Sequence, residues 1–299
     1  MKPLIVHRKG ELFLNEGGLS AENLPEEFQK TFPELSPKYI DPVSLLAGIT
    51  AGRILRESGF SAGSEMGQDF AVIVGSAFGA IDSTVNFDAQ ALEKGPNAVN
   101  PMDFPNTVAN AAGSRIGIWM RLKGPNVTLT NGGTSLLDAV GFAWEGYNSG
   151  LFSRCLVGAV EKVPVFLKPL ASSSAGTGKV REGSCFLQAS GVETGETLFR
   201  VRDYFALQLK PNFEIPIGFL QRFNQLWDGV EWLGFLDGTP LEDQIPPQVV
   251  RYSSKPPLVE LGMGGWEALN QFLSVPQSRG VIGVFSRPER KVSFIKVEK

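Results

Sequence analysis

Residues Gly124 to Val140 constrain this chain most tightly, because a run of strand-forming residues passes through a glycine turn straight into a helix. Val127, Thr128, Leu129 and Thr130 favour an extended backbone and read as a buried strand. Asn131-Gly132-Gly133 permits a sharp turn, and Thr134 or Ser135 is placed to cap the helix that follows. Leu136, Val140, Trp144 and Tyr147 then recur at helical spacing, with Leu137 and Ala143 widening the apolar stripe. Such a junction aims backbone N–H groups and the positive end of a helix at whatever occupies the turn, which favours an anion or a thiolate there.

The remaining composition bounds the answer without naming it. At 299 residues and 42% apolar content the chain has core enough for one large α/β domain or two modest ones. A net charge of −3 without a Lys/Arg cluster leaves no electrostatic footprint for nucleic acid or a membrane surface. Cys155 and Cys185 lie in apolar runs without Cys-x-x-Cys spacing and read as buried reduced thiols. The single histidine, His7, cannot build a multi-histidine metal site and reads as a surface or strand-edge residue, so neither metal nor cofactor is expected. The first nine residues lack the apolar segment of a signal peptide, and no apolar run approaches the roughly 18 residues of a membrane span, so a cytoplasmic protein is expected.

Taken in order, the chain predicts a strand at Leu4 to Val6 with a hairpin partner at Leu12 to Leu14, then irregular backbone to Pro37. Asp41-Pro42 opens an amphipathic helix carrying Leu45, Leu46, Ile49, Ile54 and Leu55 and closing at Ser58-Gly59. Phe70 to Gly75 reads as a buried strand with a glycine-punctuated exit, where the missing Lys-Ser/Thr counts against a phosphate loop. Asn100 to Ile116 is a proline-bounded loop entering a helix of small residues, and Ala171 to Gly178 is a flexible small-residue loop. A turn at Arg181-Glu182-Gly183 leads into a strand ending at Ala189, and a helix is expected around Phe219 to Trp227. Trp232 to Asp243 reads as a strand and turn, and Gly280 to Phe285 and Val292 to Val297 as two closing strands.

In this order the motifs resemble the β-ketoacyl synthases of the thiolase-like superfamily, continuously from Tyr39 to Ala189. The nucleophile segment of that family is matched by Gly124 to Val140 with its sequel Ser149-Gly150-Leu151 and Cys155 to Lys162. The resemblance implies an α/β thiolase-like fold of two similar halves forming a layered α-β-α-β-α core. An N-terminal half would span residues 1–190 and a shortened C-terminal half 191–299, within a single compact unit. Aligned forward from Gly124-Pro125, the family's acylated cysteine falls on Gly133. Its first catalytic histidine falls on Asp237, and its second, anchored on Gly262 and Gly265, on Val259 within a residue.

Decarboxylative condensation needs a thiolate to hold the first acyl group and neutral imidazoles to stabilise an enolate. Gly133 has no side-chain atom to acylate, an ionised Asp237 would repel a developing enolate, and Val259 cannot donate a hydrogen bond. The resemblance therefore implies a non-catalytic subunit of fatty acid or polyketide biosynthesis that pairs with an active ketosynthase, meets an acyl carrier protein and shapes chain length. Chain-length factors of type II polyketide and aryl-polyene systems do this, although they commonly carry a glutamine at the cysteine position and a longer chain. The pair would be a homo- or heterodimer, and Phe104, Asn110, Asn131, Gly132, Thr134 and Phe235 are the candidates for its interface or acyl pocket. The alternative is a different acyl-ligand or non-condensing enzymatic role in the pocket at Gly133, with Asp237 as general base or polar anchor rather than a turn cap before Gly238.

Overall fold

A strand that is apolar on both faces needs a packed layer on each side of its sheet. In the computed structural model Phe70 to Gly75 forms such a strand, and its side chains alternate between two different cores: Phe70, Val72 and Val74 face one, Ala71 and Ile73 the other. Residues 1–17, 19–61, 67–168, 179–211, 215, 217–234, 247, 249–252, 258–259, 261–286 and 289–299 are described. The first part of the chain runs β1 (Leu4–Phe13), α1 (Leu24–Thr31), α2 (Pro42–Glu57), β2 (Phe70–Gly75), α3 (Ile81–Lys94), α4 (Ala111–Met120), β3 (Asn126–Leu129), α5 (Ser135–Asn148), β4 (Arg154–Glu161), β5 (Lys179–Val180) and β6 (Gly183–Ser190). It continues with β7 (Phe199–Gln208), α6 (Ile217–Leu226), β8 (Trp232–Gly234), β9 (Val250–Tyr252), β10 (Leu258–Val259), α7 (Trp266–Ser274), β11 (Arg279–Ser286) and β12 (Lys291–Glu298).

Ten strands make one mixed sheet in the order β3-β2-β4-β6-β1-β7-β12-β11-β8-β9, while β5 and β10 pair separately. Its two wings are parallel and its centre antiparallel. The middle is β1, one ten-residue strand rather than the expected hairpin. No turn-forming pair interrupts Leu4 to Phe13, and the strand pairs with β6 from Ile5 to Phe13, with one irregularity between Val6 and Arg8, while Leu4, Ile5 and Val6 pair with β7.

The core is divided by the sheet into three parts. Helices α5 and α7 lie between the wings, where Leu136, Val140, Ala143, Trp266 and Phe272 meet Val157 and Leu187 from one wing and Ile282 and Ile295 from the other. Outside the first wing, α1, α2 and α4 cover Val72, Leu156 and Phe186. Outside the second, α6 lays Phe219, Phe223 and Leu226 on Val281, Val292 and Phe294. The result is five alternating layers, with the helix that follows the glycine turn at the centre.

Several expectations meet the structure directly. Helix α2 opens at Pro42 with the Asp41 carboxylate accepting from Ser44 N at 2.9 Å, as its sequence requires. Both cysteines are buried. The expected strands at 70–75 and 183–189 and the two closing strands form as β2, β6, β11 and β12, and the helix near Phe219 as α6. The irregular backbone expected before Pro37 contains α1, whose Leu24 and Phe28, four residues apart, are fully buried. His7 is a half-buried residue inside the sheet, bonded to Ser190 Oγ at 2.8 Å and Thr194 Oγ1 at 3.1 Å, with its pKa lowered by burial and by Arg8. The small-residue loop at Ala171 to Gly178 lies outside the described residues.

Candidate functional site

Strand β3 sits at the edge of the sheet, half-exposed rather than buried, because β2 covers one side of it and nothing among the described residues pairs with the other. Its exit passes through a single 3-10 turn, Gly132–Thr134, before α5 begins at Ser135. Gly132 has φ +59°, a conformation that costs a side-chain-bearing residue. Neither hydroxyl caps the helix in the expected way. Ser135 Oγ instead accepts from Asn131 N at 2.9 Å and donates to Gly132 O at 2.7 Å, so it ties the turn to itself. Thr134 Oγ1 donates to Asp138 at 2.9 Å.

Asp138, one turn into α5, is the polar centre of this region. It is buried, and its two oxygens accept from Asn131 Nδ2 at 2.7 Å, Tyr204 OH at 2.8 Å, and Lys291 Nζ and Ser293 Oγ at 2.5 Å each. A buried carboxylate is tolerated when a cation and hydrogen bonds replace its water, and Lys291 supplies the cation. Burial, and after it the same carboxylate, push the Tyr204 phenol well above its ordinary range. Strands β7 and β12 are thereby held to the start of α5.

A second buried carboxylate, Glu161 at the end of β4, closes the glycine-punctuated exit of β2. Its oxygens accept from Ala77 N at 2.5 Å, Phe78 N and Ser76 Oγ at 3.2 Å, and Gly262 N at 3.1 Å. Those loop amides are therefore already engaged by the protein's own carboxyl group, which disposes of a phosphate loop there. Burial pushes the Glu161 carboxyl up to about 7 against the pull of its four donors. Gly262 begins the stretch that approaches the turn from the C-terminal part of the chain. Gly264 packs so closely on the Gly133 carbonyl that a Cβ there would collide with it.

The structure thus brings Asn131, Gly132, Gly133 and Thr134 together with the Gly262 to Gly265 segment. Val259 lies in β10, on the strand leading to that segment, while Phe235 and Asp237 fall outside the described residues. Phe104 and Asn110 lie on the segment between α3 and α4. Phe104 is 60% exposed, its ring 5.9 Å from that of Phe87 on α3, and Asn110 precedes α4. Val85 and Leu92 on α3, and Met102 and Val108 on the segment before α4, are also exposed, and no residue of α3 is buried. Sequence reasoning passed over Asp138, Glu161, Tyr204 and Lys291. The one available signal was a charge placed inside or at the end of an apolar run, as in Leu136-Leu137-Asp138-Ala139-Val140 and Leu156 to Glu161.

Residues 8–190, well over half of the chain, match the family described as β-ketoacyl synthase, N-terminal domain. Among curated proteins, the chain is 29% identical over 133 residues to 3-oxoacyl-[acyl-carrier-protein] synthase 2 of Vibrio cholerae, covering 44% of this chain and 31% of the relative. The protein of that name from Rhizobium meliloti is 27% identical over 105 residues, 35% of this chain and 25% of the relative. The matches therefore span less than a third of these relatives' length. A solved type II PKS acyl-carrier protein in complex with its ketosynthase, AntDE:AntF, superposes with a TM-score of 0.77 at 14% identity, covering 100% of this chain and 99% of that one. The ishigamide ketosynthase/chain length factor follows at 0.75 and 15%, covering 100% and 99%. At such identities the likeness establishes the fold, which is the thiolase-like α/β architecture.

Proposed function

Since this chain belongs to the β-ketoacyl synthase family, we propose that it is a non-catalytic member that pairs with an active ketosynthase and shapes the acyl chain that enzyme builds. The observation that carries the proposal is the turn at the head of α5. The position aligned with the acylated cysteine is Gly133, which offers no atom to acylate, and Thr134 and Ser135 beside it spend their hydroxyls on Asp138 and on the turn itself. The aligned histidine positions are Asp237 and Val259, neither of which is an imidazole.

Pairing is supported by the edge of the sheet. Strand β3 presents a ladder that is unpaired among the described residues, and the segment leading into α4, the helix packed on β3, exposes Met102, Phe104 and Val108. An unpaired edge next to an apolar face is a surface that natural proteins ordinarily cover. An active ketosynthase of the same architecture would continue the sheet across β3 and bring its own pocket near the Asn131 to Thr134 turn. An acyl carrier protein would be the second partner, meeting the pair rather than this chain alone. The two-half division at residue 190 belongs to the same reading.

The test is co-expression with an active ketosynthase from the same genome, purification through one tag and native mass spectrometry. A one-to-one complex is expected, weakened at least about tenfold by Phe104→Glu, which places a charge in the apolar face. A homodimer that ignores the ketosynthase overturns the reading.

A further inference from the structure

The segment from Pro101 to Val108, between α3 and α4, is an arm that the hydrophobic core does not hold. Within Pro101–Asn106 the buried residue is Asn106, while Met102, Phe104 and Val108 are exposed. Polar bonds hold the arm instead. Asn106 Nδ2 donates to Tyr39 O at 2.8 Å, and Thr84 Oγ1 on α3 donates to Thr107 O at 2.8 Å. Arg115 on α4 donates through Nη2 to Asn106 Oδ1 at 2.5 Å and reaches Tyr39 O at 3.5 Å. Tyr39 sits at φ +62°, a left-handed conformation that costs a residue with a side chain and persists only where its surroundings fix it.

A second partner for the same guanidinium lies close by. Asp41, two residues after Tyr39, is buried at the start of α2, and its Oδ1 accepts from Ser44 N at 2.9 Å. Its Oδ2 is buried without a hydrogen-bond partner among the described residues, and so is Arg115 Nε. Burial pushes the Asp41 carboxyl up, and Ser44 and then Arg115 pull it down, so the Arg115 charge already acts on it. Lys38, the neighbouring cation, lies over the Tyr39 ring at 4.7 Å. A buried carboxylate oxygen and a buried guanidinium N–H that each lack a partner gain by meeting, and Arg115 is spent on Asn106 instead.

We infer that Arg115 is a two-position latch: bonded to Asn106 and Tyr39 O it holds the arm in place, and turned onto the Asp41 carboxylate it releases the arm. Met102, Phe104 and Val108 are thereby presented in two positions. Each position satisfies the guanidinium with different oxygens, which lets the two arrangements lie close in free energy. The inference goes beyond the pairing reading and concerns the isolated chain.

The experiment follows amide hydrogen exchange of residues 101–108 in the full chain without a partner, for the native protein, Asp41→Asn and Asn106→Ala. Asn caps a helix about as well as Asp, so α2 keeps its start while the alternative partner loses its charge. Exchange in the arm should slow by about tenfold in Asp41→Asn, because release no longer gains an ion pair, with β2 unchanged. It should quicken by about tenfold in Asn106→Ala, which removes the hold. An Asp41 that only braces Arg115 in a single position gives the opposite sign, so unchanged or faster exchange in Asp41→Asn overturns the inference. A second readout needs no substitution at residue 41. In a crystal structure of Asn106→Ala, Arg115 should stand within hydrogen-bond distance of Asp41 Oδ2, and a guanidinium still on the Tyr39 carbonyl overturns the inference. Neither readout involves a partner chain, so its failure is separable from failure of the pairing experiment.

Discussion

Glu161 is held between two opposed demands. Burial disfavours its charge, while three backbone amides and a serine hydroxyl favour it, and burial is the larger effect. Its carboxyl is pushed from 4.5 to about 7, so the folded chain binds this proton more tightly than the unfolded chain does. The associated stability is fully present below pH 4.5 and is lost as the pH rises through 7. Across that range the loss amounts to about 3 kcal/mol. Urea unfolding at pH 5 and pH 8 of the native chain and of Glu161→Gln checks this: the native chain should lose most of that amount relative to the variant, and parallel pH profiles would refute it. At pH 5 the variant should also be weaker by about 1–3 kcal/mol, because an amide turns an N–H₂ group toward amides that need an acceptor, and by pH 8 the native chain's own loss should close most of that gap. None of these partnerships was legible in the sequence. Ala77 and Gly262 lie 84 and 101 residues from Glu161, and Lys291 lies 153 from Asp138. Gly133 was legible, because a turn between a strand and a helix is a local pattern.

At the scale of elements, strand β3 shows how local preference and position part company. Its residues have strand propensity, but propensity is silent on whether a strand lies at the centre or the edge of a sheet. Pro125 and Leu129 turn their carbonyls to Val72 N and Ser76 N of the β2 strand and its exit, so in this parallel pair the intervening even residues point their N–H groups outward. Thr128→Pro therefore removes an edge donor without breaking the ladder to β2. It should leave the isolated chain folded by near-ultraviolet circular dichroism and abolish the ketosynthase complex in native mass spectrometry. A complex of undiminished yield would show that the edge is not where pairing occurs. Helix α3 was not read for a related reason. It buries no residue against its own chain, so no apolar stripe turned toward a core marks it.

At the scale of the molecule, both wings of the sheet share one core. Trp266 is fully buried between them, in the same cluster as Ile73 and Val157 of one wing and Ile282 and Ile295 of the other. Trp266→Ala should cost about 3–5 kcal/mol and lower the unfolding temperature in a single transition. Hydrogen exchange in β2 and β11 should accelerate together. Acceleration of β11 with β2 unchanged would show that the wings unfold as separate units, each with a core of its own.

What short-range pattern can express was present in the residues: the α2 helix with its Asp41 cap, the unbroken apolar run of β2, the glycine turn before α5, and the motif order that led to the fold. These depend on neighbours within a few residues, where steric preference and hydrophobic period act directly. Joining Leu4 to Phe13 into the strand that unites the wings, placing β3 at an edge, gathering Lys291 and Tyr204 on Asp138, and bringing Asn106 and Arg115 to the Tyr39 carbonyl required the folded chain. Each is a contact between segments far apart in sequence, and its energy comes from burial and charge pairing that arise once the layers have packed.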